Sequence, residues 1–194
     1  MKKMSKLKIK IIVGTVRKER FSEKTSNWVF EEAKKKDWDV ELIDLKDYPM
    51  PFYEEPVSPV RIKDGNYANE VVRNFAKKIK DGDAFIVVTP EYNHSYSGVL
   101  KNAMDNVYAE WNNKPIGFVS HGSAAGGARA VEQLRLVAVE LQMAPIRTGV
   151  HIPFFWTQVD EKGNLKTAQF QQTLEVMFTQ LDWWAKALKA ARKD

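Results

Sequence analysis

With 194 residues, of which 44% are hydrophobic and 28% charged, the chain can fill one core but hardly two, so residues 1–194 are expected to form a single domain. No apolar run approaches the roughly 20 residues of a bilayer span, and the absence of cysteine excludes disulfides, thiolate nucleophiles and Cys-ligated metals. The net charge of +5 gathers at the ends, in Lys2, Lys3, Lys6, Lys8 and Lys10 and in Lys186, Lys189, Arg192 and Lys193, not in the concentrated stripe that nucleic acid requires.

The first element in chain order is a strand from Leu7 to Val13, ending at Gly14. The Lys-rich stretch before it has no extended apolar core and does not read as a secretory signal; a cytoplasmic protein is expected. Ser22 to Lys36 follows with helical spacing, with Trp28 and Val29 inward, and Asp39 to Leu45 gives a second strand. Residues 66 to 80 form the next helix, with Val71, Val72, Phe75 and Ile79 on one side. The continuous apolar run Ala84 to Val88 is the pattern of a central parallel strand buried on both faces.

Val99 to Tyr108 continues as a helix, and Pro115 to Ser120 is a fourth strand. Ala128 to Leu141 is helical, Ile146 to Ile152 a fifth strand, and Thr167 to Ala191 a long closing helix. Strands alternating with helices predict an α/β fold: a doubly wound five-stranded parallel sheet with helices on both faces. Ligands in such folds sit beyond the C-terminal ends of the strands. That rule selects residues 14–22, 89–98 and 120–127.

The first of these loops has one glycine and neither a dinucleotide fingerprint nor a nucleotide-triphosphate loop. It offers Thr15, Arg17, Arg20 and Ser22 beside a helix N-terminus, a set that suits a phosphate monoester; Ser22 as a simple N-cap is the plainer alternative. In the second loop Pro90 fixes the strand exit, and Glu91, Tyr92 and Asn93 bring polar and aromatic groups to the sheet edge. Successive amides there are expected to meet the edge of a planar heterocycle, with Lys101, Asn102 and Asp105 on the following helix. In the third, Ser120 to Ala128, small residues allow a flat ring to approach the backbone, and His121 either contacts it or satisfies a local carbonyl. A serine hydrolase built on Ser120 or Ser123 and His121 lacks its Gly-x-Ser-x-Gly elbow. No pair among His94, His121 and His151 has short ligand spacing, so no metal site is expected.

These residues carry a resemblance to the NADPH-dependent FMN reductase family, a flavodoxin-like group of flavin, quinone, azo-dye and chromate reductases. Gly14-Thr15-Val16-Arg17, Thr89 to Ser95, Gly98 to Asp105 and Gly122 to Gly127 match its pattern, over about residues 7 to 150. The resemblance implies an FMN-dependent oxidoreductase that takes a hydride from NADPH or NADH at flavin N5 and passes the electrons on in ping-pong fashion to free flavin, a quinone, an azo compound or a similar acceptor. It implies that Thr15, Arg17 and Ser22 hold the FMN phosphate, that Pro90, Glu91, Tyr92 and Asn93 wrap the isoalloxazine ring, and that His121, Gly122 and Ser123 close its other edge. No side chain is required as an acid or base. A homodimer or homotetramer is implied, the helix after the second loop lying in the interface and the partner subunit helping to wall the site.

The chain departs from the family pattern at residues 53–66 and at 151–164. The second departure holds Ile152-Pro153-Phe154-Phe155-Trp156, expected, with Trp111, Trp183 and Trp184, to serve core packing and subunit contact before substrate stacking. The rival readings are a flavodoxin-type electron carrier, whose usual acidity this basic chain lacks, and a redox sensor without turnover of its own.

Overall fold

The structure is a computed structural model that describes residues 6–192; the charges at Lys2, Lys3 and Lys193 lie outside this range. Strands β1 (Leu7–Val13), β2 (Trp38–Asp44), β3 (Ala84–Pro90) and β4 (Pro115–His121) are parallel, and two short segments, β5 (Ala144–Pro145) and β6 (Val150–Ile152), share the far side of β4. The strand order is β2-β1-β3-β4-β5. The chain order reverses between β1 and β3, and this is the switch point at which ligands collect.

The fifth strand is therefore not the single run expected. Ile116 lies opposite Pro145 but Val119 opposite Val150, so the outer chain spends two more residues than β4 between those points. Thr148 leaves the ladder, its amide bonding to Oε1 of Gln180 at 3.0 Å, which makes the interruption a bulge at a sheet edge.

Helices α1 (Phe21–Lys34) and α5 (Ala168–Ala191) cover one face, packing on Ile9, Ile11, Ile86, Val88 and Val119. The other face carries α2 (Glu70–Asp81), α3 (Gly98–Asp105) and α4 (Ala128–Glu140) over Ile12, Phe85, Val87, Ile116 and Phe118. Alternate residues of β1 and β3 thus feed opposite cores, the period of two that a strand imposes. The expected helix at 66–80 begins only at Glu70, because Asn69 caps it: its Oδ1 accepts from the amides of Val71 and Val72 at 2.9 and 3.3 Å. Among the described residues no helix is long and apolar enough to cross a membrane, and no cluster of acidic or histidine side chains is arranged to hold a metal ion.

Candidate functional site

At the C-terminal ends of β1, β3 and β4 the three loops converge on a cleft of about 480 Å³. Arg17 to Ser22 line one side, Pro90, Glu91 and Tyr92 a second, and His121 and Gly122 the floor. Phe155, Trp156 and Val159, from the segment expected to serve packing, form a further wall.

The first loop leaves β1 at Gly14, where space is tight: a Cβ there would lie 3.0 Å from the carbonyl oxygen of Val88. Beyond it the amides of Val16, Lys18 and Glu19 have no hydrogen-bond partner among the described residues, nor do those of Phe21 and Ser22 in the first turn of α1. Unmet backbone donors ahead of an uncapped helix form an anion site, because the partial positive charge of the helix end adds to their own. The Arg17 guanidinium is exposed and makes no ion pair or hydrogen bond within the described protein. Both observations fit a phosphate.

Thr15 and Ser22 do something different from what their positions suggest. The Thr15 hydroxyl meets that of Tyr92 at 3.1 Å, tying the first loop to the second. Ser22 is not the N-cap, a position held by Arg20; fully buried, it bonds Nε2 of His121 at 2.8 Å. Arg20 is also withdrawn from the ligand set, because it pairs with Asp44 and, at 3.1 Å, with Glu23.

The second loop turns back on itself. Asn93 and His94 both have positive φ, 50° and 66°, and Tyr92 and Ser95 exchange backbone bonds of 2.7 and 3.0 Å across them. This is a two-residue turn of the kind that asparagine tolerates. It puts Asn93 at an exposed tip outside the cleft lining. The amide of Glu91 is taken by the His121 carbonyl and that of Tyr92 by Ser95, so the expected row of free amides shrinks to those of Asn93 and His94. Lys101 and Asp105 pair with each other at 2.6 Å, while Asn102 holds the carbonyls of Met50 and Pro51. These three anchor structure and do not line the cleft.

The third loop needs its glycines. Gly126 and Gly127 have φ of 59° and 88°, and a Cβ on Gly122 would sit 2.9 Å from the Gly127 nitrogen. Ser123 is exposed and lies outside the lining, its carbonyl accepting from Gly126 and Phe154. The His121 ring is packed edge-on against Phe21 and Phe155 at 5.1 and 5.4 Å, and burial pushes its pKa down to about 4. It is a neutral group at physiological pH. Ser120 donates to the Gly126 carbonyl at 2.8 Å and bonds Nδ1 of His151 at 2.7 Å; with both serine and histidine so engaged, the residues imagined for a hydrolase form no triad.

Among the described residues, four buried side-chain polar atoms lack a partner: Nε of Arg20, Oε2 of Glu91, Nδ1 of His121 and Nε1 of Trp111. All but Trp111 belong to the cleft lining. Unmet buried polarity is costly and uncommon, and at Glu91 and His121 it fits a wall completed by a bound polar molecule. Glu91 is otherwise held by Arg129, whose Nε lies 2.6 Å from its Oε1. Trp156, 55% exposed, is the residue of this site that the sequence did not single out alone; the backbone bonds of Phe154 and Phe155 to the Ser123 and Gly122 carbonyls, at 3.1 and 3.3 Å, hold its segment against the third loop.

A sequence model of the family described as NADPH-dependent FMN reductase matches residues 7–157. An NAD(P)H-dependent FMN reductase of Schizosaccharomyces pombe is 38% identical over 149 residues, 75% of this chain and 74% of that protein. A 2-hydroxy-1,4-benzoquinone reductase of Burkholderia sp. is 27% identical over 187 residues, 93% of this chain and 97% of that one. The fold is similar to that of FerB, the flavoenzyme NAD(P)H:(acceptor) oxidoreductase of Paracoccus denitrificans, with a TM-score of 0.71 and 24% identity over 93% of this chain and 98% of that structure.

Proposed function

Because the chain belongs to the NADPH-dependent FMN reductase family and is an NAD(P)H-dependent oxidoreductase that uses FMN, we propose that the cleft at the first, second and third loops is its FMN site and that the electrons pass to a small planar acceptor, namely free flavin, a quinone or an azo compound. The observation that carries the site assignment is the row of unbonded amides at Val16, Lys18, Glu19, Phe21 and Ser22 beside the free Arg17 guanidinium. FMN, when bound, supplies the redox chemistry, accepting a hydride from NAD(P)H and releasing electrons to the acceptor.

The protein's own part is binding and positioning. Arg17 and the loop amides hold the phosphate. Pro90, Glu91 and Tyr92 wall the ring on one side and His121 and Gly122 on the other, with the Asn93 and His94 amides free to meet a polar edge. Thr15 and Ser22 act behind these walls, locking Tyr92 and His121 in place. Asn93 and Ser123 contribute through backbone conformation. No proton need be moved by a side chain, which agrees with a His121 held neutral by burial.

The named activities of the relatives support the acceptor class, and the benzoquinone reductase favours a quinone among them. The proposal includes one FMN-binding unit spanning the chain, a cytoplasmic setting consistent with the lack of cysteine, and a homodimer or homotetramer. It is tested by loading the protein with FMN and following NADPH and NADH oxidation against free flavin, a benzoquinone and an azo dye. Turnover with one or more is expected; FMN binding without turnover of any would favour an electron carrier.

A further inference from the structure

We propose that Arg20 is a positioning residue that sets the shape of the phosphate loop without touching the phosphate, an inference that rests on the FMN reading above. In sequence Arg17 and Arg20 are two cations of one loop. In the structure they are opposites. Arg17 is exposed and free, whereas the Arg20 side chain is 2% exposed and closes the loop from within.

Its guanidinium works in two directions at once. Nη1 donates to the carbonyl of Thr15 at the start of the loop, while Nη2 donates to Asp44 at the end of β2 and to Glu23 in the first turn of α1, the latter at 3.1 Å. The backbone of Arg20 is itself the N-cap position of α1. One residue therefore joins the loop's first residue, its last residue, the helix it leads into and the neighbouring strand. Asp44 is fixed in turn, its Oδ1 accepting from the Lys46 amide at 3.0 Å.

The loop needs such a restraint. Glu19 adopts a φ of 51°, a left-handed conformation that costs a side-chain-bearing residue about 1 kcal/mol or more. The amides of Val16, Lys18 and Glu19 have no partner within the described protein, so the loop's own hydrogen bonding does little to hold it in this shape. With Asp44 and Glu23 paired to it, the Arg20 charge is largely balanced, and its contribution to anion binding is geometric where that of Arg17 is electrostatic. Lysine cannot replace it, because a single ammonium lacks the planar fork that spans Thr15 and Asp44 together.

The test compares FMN with riboflavin, which lacks the phosphate, in fluorescence titrations of the wild type, Arg20→Lys and Asp44→Asn, with folding of each checked by its thermal unfolding midpoint. A loss of about tenfold in FMN affinity, the scale of one charged hydrogen bond, is expected in both variants, with riboflavin affinity kept within about twofold. Asp44→Asn is the decisive arm because that side chain lies across the guanidinium and not on the cleft lining. Unchanged FMN affinity in both variants overturns the proposal. So does an equal loss for FMN and riboflavin, which marks a merely structural role, or a loss in Arg20→Lys with none in Asp44→Asn, which marks direct contact through the unpartnered Nε. A wild type that binds the two flavins alike sinks the phosphate reading itself, a result separate from these.

Discussion

Ser22 and His121 stand 99 residues apart in the chain and meet through a 2.8 Å hydrogen bond between Oγ and Nε2. The bond joins the first turn of α1 to the end of β4, closing the cleft floor where the first loop ends and the third begins. Both side chains are buried, so the contact is shielded from competing water.

Burial holds His121 neutral, with its pKa down near 4 against 6.5 for the free side chain. Below pH 6.5 the unfolded chain takes up a proton that the folded protein refuses until about pH 4. The stability tied to this group is thus complete above the unfolded pKa and is lost as pH falls through that window, by roughly 3 kcal/mol in all. Urea unfolding at pH 7 and pH 4.5 is expected to show a larger drop for the wild type than for His121→Gln. Equal drops would show that His121 does not carry this part of the pH dependence.

Arg17 is exposed and has no partner among the described residues, so Arg17→Ala is expected to leave the unfolding free energy within about 0.5 kcal/mol while weakening FMN binding about tenfold or more. The salt dependence of binding should also become shallower, because a screened charge contact has gone. Titration of FMN fluorescence at two ionic strengths measures both effects, and unchanged affinity removes Arg17 from the site.

Asn93 has a φ of 50° on an exposed turn, and the part proposed for it is through its backbone. Asn93→Gly should therefore keep NAD(P)H oxidation near the wild-type rate, whereas Asn93→Val, forced into a region costly to branched residues, should lose about 1–2 kcal/mol of stability and activity with it. Loss of turnover in a stably folded Asn93→Gly would mean that the amide side chain itself reaches the substrates.

Trp156 presents a half-open ring to the cleft and packs edge-on against Phe155 at 5.2 Å. Its replacement by alanine should raise the KM for a quinone acceptor about fivefold, the scale of one lost aromatic contact, with kcat and thermal midpoint close to wild type. A KM that stays put would return this segment to packing alone.

The order and placement of the elements were legible because each strand that feeds the site is a continuous or alternating apolar run ending in a distinctive loop. Gly14, Pro90 and Gly122 marked where those loops begin, and Pro90 and Gly122 line the cleft. What escaped was the direction of side chains. Nothing in Thr15-Val16-Arg17-Lys18-Glu19-Arg20 distinguishes an arginine that faces solvent from one drawn inward by Asp44, since Asp44 arrives from another strand. The Ser22–His121 bond and the hairpin at Asn93-His94 depend likewise on long-range closure or on positive φ, which residue spacing does not encode. The break in the last strand escaped for a similar reason: Gln180, which draws Thr148 out of the ladder, comes from α5.

That break protects the molecule. An uninterrupted outer strand beside β4 would offer a straight row of unpaired peptide groups on which another chain could add itself, the first step toward uncontrolled fibrous association. Divided into pieces of two and three residues by its detour, the edge has no template of useful length. The opposite border, β2, is longer but bears the exposed charge of Asp39, which discourages the same error. Any association between copies is thereby steered away from sheet extension and toward the helical faces and loops, where its geometry can be specified.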